Sequence, residues 1–243
     1  MNPMRSEKFT CISLVILMMT FAAQAGTIKG TIYYEGPIPK LKPINMQADP
    51  ICHAKHDSPV LPESIVLGEG QTMGNVFVQI KNPPRKAYKT PEEPVVISQK
   101  GCIYSPHVLG VMVDQPLKIL NEDGTLHNVH ALCRTNKEFN MAMPKFRKVA
   151  TKTFTKAESV FLMKCDVHPW MQSWISVMSH PYFATTTKDG TYEIKGLPKG
   201  EYVIEVWHEK LKTQTLKVKI AGKDDVQLAD FTYQHPSLKK AAK

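Results

Sequence analysis

Apolar residues recur at every second position along much of this chain, and that period decides what it can fold into. Leu216, Val218 and Ile220 alternate with Lys217 and Lys219. Tyr192 and Ile194 alternate with Thr191, Glu193 and Lys195, and Ile28, Gly30, Ile32 and Tyr34 make a third run. Successive side chains of a strand point to opposite faces, so each run reads as a half-buried strand. No helical stripe extends beyond two turns, and the expected class is all-β. Asp189-Gly190 predicts a hairpin and Leu197-Pro198-Lys199-Gly200 a tight turn, which makes residues 184–220 a small antiparallel meander. Further strand material lies at Val76, Val78 and Ile80 and at residues 95–97, 108–113, 117–120, 160–163 and 174–178. Pro83, Pro84, Pro91 and Pro94 crowd residues 82–94 and mark a boundary there.

The chain has 243 residues, 42% of them hydrophobic, too apolar and too mixed for a disordered or fibrous protein. Its formal charge is +9, but the Lys and Arg residues are scattered and end in Lys239-Lys240. Without a basic stripe interleaved with aromatics, no nucleic-acid partner is expected. Residues 1–25 read as a secretory leader: Arg5 and Lys8 precede an apolar run over residues 11–23, and Ala23-Gln24-Ala25 is a small-residue cleavage site. No other run reaches the roughly 18 apolar residues of a spanning helix. The expected location is periplasmic or secreted, with no membrane span.

The most informative stretch is Cys165-Asp166-Val167-His168-Pro169-Trp170-Met171, between two predicted strands. A three-residue step covers at most about 11 Å, so a turn can bring thiolate, imidazole and thioether onto one ion. Zinc rarely takes a thioether, whereas copper in electron-transfer sites takes two His and one Cys with a weak axial Met. The second imidazole is available in Leu126-His127-Asn128-Val129-His130, after the 117–120 strand and the Asn121-Glu122-Asp123-Gly124 turn.

These residues resemble the cupredoxins, the blue type 1 copper family, and within it the amicyanin- and plastocyanin-like members. Cys165, His168, Pro169, Trp170 and Met171 reproduce the ligand loop Cys-x-x-His-Pro-aromatic-Met, and Tyr104-Ser105-Pro106, Leu117-x-Ile119-x-Asn121-x-Asp123 and His127-Asn128-Val129 follow the family's order upstream. The resemblance covers residues 94–178 and implies a Greek-key sandwich or barrel holding one type 1 copper. It implies His127, Cys165, His168 and Met171 as ligands, with Asn128 and Pro169 supporting them. His168, flanked by Pro169 and Trp170, would then be the exposed edge through which electrons leave. The implied role is a one-electron carrier and not an enzyme, with a c-type cytochrome or a quinoprotein dehydrogenase as redox partner. Two departures stand out: Phe161-Leu162-Met163-Lys164 is a less aromatic approach to the cysteine, and a long insertion separates His127 from Cys165.

A thiolate ligand at Cys165 leaves Cys52, Cys102 and Cys133, hence at most one disulfide in any of three pairings. Cys52 with Cys102 is the expected pair because both fall in loop-like segments, leaving Cys133 free. His53, His56, His130, His180 and His208 are the remaining candidates for a second metal. Met141, Met143 and Met163 keep open an alternative, copper binding and delivery without redox shuttling. Finally, residues 185–220, with Asp189-Gly190-Thr191-Tyr192 and Gly196-Leu197-Pro198, resemble carboxypeptidase-regulatory-like or transthyretin-like β modules, whose opening strand is here found only at residues 27–34. The expected division is a leader (1–25), a discontinuous β-sandwich (26–90 and 180–233), an inserted cupredoxin domain (91–179) and a basic tail (234–243).

Overall fold

A computed structural model describes residues 25–235, 237 and 238, so the expected leader, apart from Ala25, and most of the basic tail lie outside the described residues. The strands in chain order are β1 (Ala25–Glu35), β2 (Phe77–Ile80), β3 (Val95–Lys100), β4 (Ile103–Ser105), β5 (Val108–Met112), β6 (Leu117–Asn121), β7 (His127–Ala131), β8 (Phe139–Met143) and β9 (Val149–Lys152). They continue with β10 (Glu158–Lys164), β11 (Gln172–Met178), β12 (Phe183–Thr185), β13 (Thr191–Pro198), β14 (Gly200–His208), β15 (Lys212–Ile220), β16 (Val226–Leu228) and β17 (Phe231–Gln234). One short helix, α1 (Pro50–His53), interrupts the loop between β1 and β2. The fold is all-β, built as several sheets. Among the described residues no helix is long and apolar enough to cross a membrane.

Two sheets are formed by the outer parts of the chain. In one, β1 pairs with β13 antiparallel, with Ile28 opposite Ile194, and with β16 and β17 in parallel. The other runs β12-β2-β14-β15. Their inward faces meet in one core, where Ile28, Ile32, Ile194 and Leu197 are buried with Val78, Ile80, Ile204 and Val206. Each such side chain contributes roughly 1.5–3 kcal/mol by leaving water.

This arrangement corrects the expected meander. Only β14 and β15 form a hairpin, with Tyr202 opposite Val218. The Asp189-Gly190 turn instead carries the chain from β12 in one sheet to β13 in the other. Gly190 has φ +73°, and a Cβ there would stand 2.6 Å from the carbonyl oxygen of Ile32, so the crossing needs glycine. A periodicity of two identifies strands but not which sheet each joins, and the Pro198-Gly200 corner likewise links strands of different sheets. On β15, Leu216 is 40% exposed, because this edge strand buries little beyond Ile220.

The middle of the chain makes the other two sheets, β5-β11-β10-β7-β8 and β4-β3-β6-β9. Their core contains Ile97, Leu117, Ile119, Val111, Val129, Phe161, Met163, Ile175 and Val177. Met46 and Cys52 belong to this core as well. The 44–60 stretch therefore lies on the middle sheets, although its sequence position groups it with residues 26–90. Cys52 holds it there through a disulfide to Cys102, with a Cα separation of 5.6 Å. Where the two pairs of sheets touch, Phe77 of β2 packs with Val108 and Met178 of the middle sheets, and Trp174 of β11 leans on Trp207 of β14 at 5.3 Å.

Candidate metal centre

The ligand loop is a consequence of strand register. β10 pairs with β7 antiparallel, Lys164 opposite His130, so residues after Lys164 run back past Asn128 toward His127. The loop closes on itself: the Cys165 amide donates to the Met171 carbonyl (3.0 Å) and the Met171 amide to the His168 carbonyl (2.9 Å). β11 starts at once with Gln172 opposite Lys164. The hairpin thus sets Cys165 and His168 beside His127, the first residue of β7, and leaves Met171 fully buried in the core behind the loop.

His127 Nδ1 lies 2.9 Å from His168 Nδ1, and Cys165 Sγ lies 3.8 Å from His168 Nδ1. The three donor atoms all fall within 4.8 Å of one another, and all three residues are buried. Donors held about 2.0–2.3 Å from a shared ion stand no more than about 4.5 Å apart, so spacings of 2.9 and 3.8 Å suit a common ion. Two nitrogens and one thiolate are the donor set that favours copper in a trigonal site.

Each imidazole turns its other nitrogen to a carboxylate. His127 Nε2 donates to Asp123 Oδ2 (2.9 Å), and His168 Nε2 donates to Asp49 Oδ2 (2.9 Å). A carboxylate only accepts, so Nε2 of both rings carries hydrogen and Nδ1 is left facing the shared position. The two Nδ1 atoms stand 2.9 Å apart, the spacing of neighbouring donors on one ion. At His127 burial opposes a positive charge, but the hydrogen bonds and charges of Asp123 and Cys165 outweigh it and raise its pKa.

Asp123 is set by its turn. Asn121 donates to the Thr125 and Met143 carbonyls and accepts from the Asp123 amide, and Gly124 takes φ +70°. Burial pushes the Asp123 carboxyl up, yet hydrogen bonds from His127 and from the Cys102 and Gly101 amides outweigh it and hold the pKa low. Lys55 adds an ion pair at 3.3 Å.

The thiol of Cys165 is tuned in the same way. The amides of Asn128 (3.5 Å) and His168 (3.4 Å) both point at Sγ. Burial alone would raise its pKa; the His127 hydrogen bond and these two amides bring it down to about 7. Asn128 also ties down the loop, accepting from the Asp166 amide at 2.5 Å through Oδ1 and donating to Asn140 Oδ1 at 2.6 Å. Asn128 thus couples β7 and β8 to the residue after the cysteine.

His168 departs from expectation. Its ring is 2% exposed and is not a solvent-facing edge, because α1 and the loop before it lie over it. Asp49 caps α1 by accepting from the Ile51 and Cys52 amides through Oδ1 and takes His168 through Oδ2. Cys52 Sγ stands 3.5 Å from the same Nε2. Of the two residues assigned to the electron exit, Pro169 is exposed, while Trp170 is half-buried, donates to the Cys102 carbonyl (2.9 Å) and keeps its ring 5.2 Å from that of His168.

No protein-family model and no curated protein matches the chain. Among solved structures it is similar to a Cu-containing nitrite reductase (NirK) from Thermus scotoductus SA-01, at 23% identity and a TM-score of 0.33 over 40% of this chain and 25% of that one. The matched stretch spans about a quarter of the reductase. It is also similar to mutants of amicyanin in the Cu(I) form, at 22% and 23% identity and a TM-score of 0.32, over 42% of this chain and 98% of those.

The other candidates lie elsewhere. His56 Nε2 donates to the Gly101 carbonyl, and His130 sits between Asp166 and Glu138 on the surface. His180 and His208 accept backbone amides through Nδ1, and burial lowers both to about 4, which keeps them neutral. Neither these four nor His53 joins a group of His, Cys, Asp or Glu with metal-like spacing among the described residues. Cys133 is a buried free thiol whose pKa burial pushes up to about 12. Met143 and Met163 are core residues. Asp49 and Asp123 were not among the site residues read from sequence. Asp123 had a signal, four residues before His127 in a closed turn; Asp49 had only the helix-start pattern Asp-Pro, 119 residues away from the ring it meets.

Proposed function

We propose that this chain is an exported cupredoxin-type protein that holds one type 1 copper and carries single electrons between redox partners. The reading rests on one observation: two buried imidazoles, each fixed by a carboxylate at Nε2, present Nδ1 to each other and to a thiol already poised near neutrality. Copper held there would supply a one-electron couple. His127, Cys165 and His168 would hold it, with the Met171 thioether as the fourth donor implied by the loop motif. Asn128 on the cysteine loop and Asp49 and Asp123 on the rings hold these donors in one arrangement, so little rearrangement would accompany a change in the charge of a bound copper. Delivery of copper is the weaker reading, since Met143 and Met163 are buried in the core and Met143 accepts from Gln99.

Within this proposal residues 91–179, with the 44–60 segment packed on them, are the cupredoxin domain, inserted in a carboxypeptidase-regulatory-like sandwich made by the rest of 26–90 and by 180–233, which serves for docking. The protein is a carrier and not an enzyme, it works in the periplasm or outside the cell, and its partner is a c-type cytochrome or a quinoprotein dehydrogenase. The test is copper reconstitution of the purified protein followed by visible absorption and electron paramagnetic resonance. One equivalent of Cu(II) with an intense thiolate charge-transfer band supports the carrier; a colourless protein retaining only Cu(I) supports delivery and overturns it.

A further inference from the structure

The segment over His168 comes from a distant part of the chain, and its carboxylate acts on the ring. Residues 44–60 come from the long connection between β1 and β2, yet Met46 and Cys52 sit in the core of the middle sheets and the disulfide staples the segment to Cys102. It places a carboxylate, Asp49, and a sulfur, Cys52 Sγ, 2.9 and 3.5 Å from His168 Nε2.

We infer that Asp49 is a positioning residue for the metal centre: it fixes the tautomer that leaves His168 Nδ1 free to bind copper, and its charge favours the oxidised ion. The inference rests on the copper reading. His127 is braced through its turn carboxylate, Asp123, and Asp49 gives His168 the equivalent brace from a distant part of the chain. A carboxylate accepting from a ligand imidazole orients the ring and raises its basicity, and such partners are commonly worth 10–100-fold in metal affinity. With a carboxylate on each ring, the site carries more negative charge than its ligands alone provide, and Cu(II) gains more from it than Cu(I).

The two oxygens of Asp49 have different tasks, and this separates positioning from mere helix capping. Oδ1 caps α1; Oδ2 serves His168. Asn caps a helix as well as Asp does, so Asp49→Asn would be silent if capping were the whole role. With Asn Oδ1 on the cap, Nδ2 faces His168 Nε2, donor against donor. The ring must then carry its hydrogen on Nδ1, the atom copper needs. Asp49→Ser retains a cap but is too short to reach the ring and leaves Nε2 free to donate to water.

The decisive experiment compares Asp49→Asn and Asp49→Ser with the unaltered full chain. In the metal-free protein, nitrogen-15 NMR at pH 8 should assign the hydrogen of His168 to Nε2 in the unaltered and Ser forms and to Nδ1 in the Asn form. In the copper-loaded protein, Cu(II) affinity should fall 10–100-fold in the Asn form and less in the Ser form. A tenfold greater loss for Cu(II) than for Cu(I) corresponds to a rise of about 59 mV in reduction potential. An Asn form that keeps the original tautomer, or that loses no more Cu(II) affinity than the Ser form, overturns the inference. If the unaltered protein binds no copper while the tautomer shift is seen, the copper reading fails and the positioning geometry stands.

Discussion

The outer sheets and the middle sheets bury polar groups in different ways. In the outer pair, buried hydroxyls end on backbone: Thr186 Oγ1 donates to the Met73 carbonyl, Tyr192 to that of Ala229 and Tyr233 to that of Val206. In the middle pair Tyr104 likewise donates to the Asn128 carbonyl, but around the Cys165 loop buried side chains satisfy one another: His127 with His168, His127 with Asp123, His168 with Asp49 and both rings near Cys165. Groups that complete the backbone stabilise a fold; titratable groups that complete each other assemble a site. The difference is visible without reference to any bound ion.

Five measurements bear on that contrast. The largest effect is expected at the site: Cys165→Ala should abolish the charge-transfer band and lower copper affinity by more than 100-fold, read by absorption titration, while the far-ultraviolet dichroism stays that of a β protein. In the outer sheets, Ile204→Ala opens a cavity in a fully buried position and should cost about 2–5 kcal/mol in denaturant unfolding. The same substitution should leave the copper spectrum unchanged; a shifted spectrum would mean that the two pairs of sheets are not independent. Third, copper uptake should depend on pH. The Cys165 thiol titrates near 7 and His127 above its ordinary value, so both protons are increasingly present as pH falls and copper must displace them. Competition titrations at pH 8, 7 and 6 should show a smaller loss of affinity from 8 to 7 than from 7 to 6, approaching about tenfold per pH unit for each proton displaced at lower pH; a flat profile would speak against the thiolate. Asn128→Ala, which frees the Asp166 amide, should cost about 1–3 kcal/mol and broaden the copper resonance. Smallest of all, Lys29→Ala removes an exposed ion pair with Glu193 and should change stability by less than about 1 kcal/mol.

How much of this was readable in the sequence follows from the range of the forces involved. Strand positions such as Thr191–Pro198 and Leu117–Asn121 show in the alternation because burial of one face is a local property. The motif around Cys165 and His168 was legible because the loop is short and both ends are fixed by one hairpin. Sheet membership was not: β12, β13 and β14 succeed one another in sequence yet alternate between sheets, since their partners β1 and β2 lie more than a hundred residues away. Burial of His168 was hidden for the same reason. An Asp-Pro pair at residue 49 announces a helix start, and nothing local says that the helix will lie on a ring 119 residues later. Strands β7 and β8 were missed because their His, Asn and Met content has little alternating apolar character.

One feature of the chain path reaches beyond the site itself. Ile80 donates its amide to the Tyr182 carbonyl, and Lys81 donates to Val203. The backbone thus leaves the outer sheets and returns to them at adjacent rungs of one ladder. A stretch whose two ends meet so closely can be exchanged, duplicated or removed without unpicking its host. Residues 82–179 are accordingly placed to travel as a cassette, but the cassette would leave behind Asp49, and with it half of what holds its histidines in place.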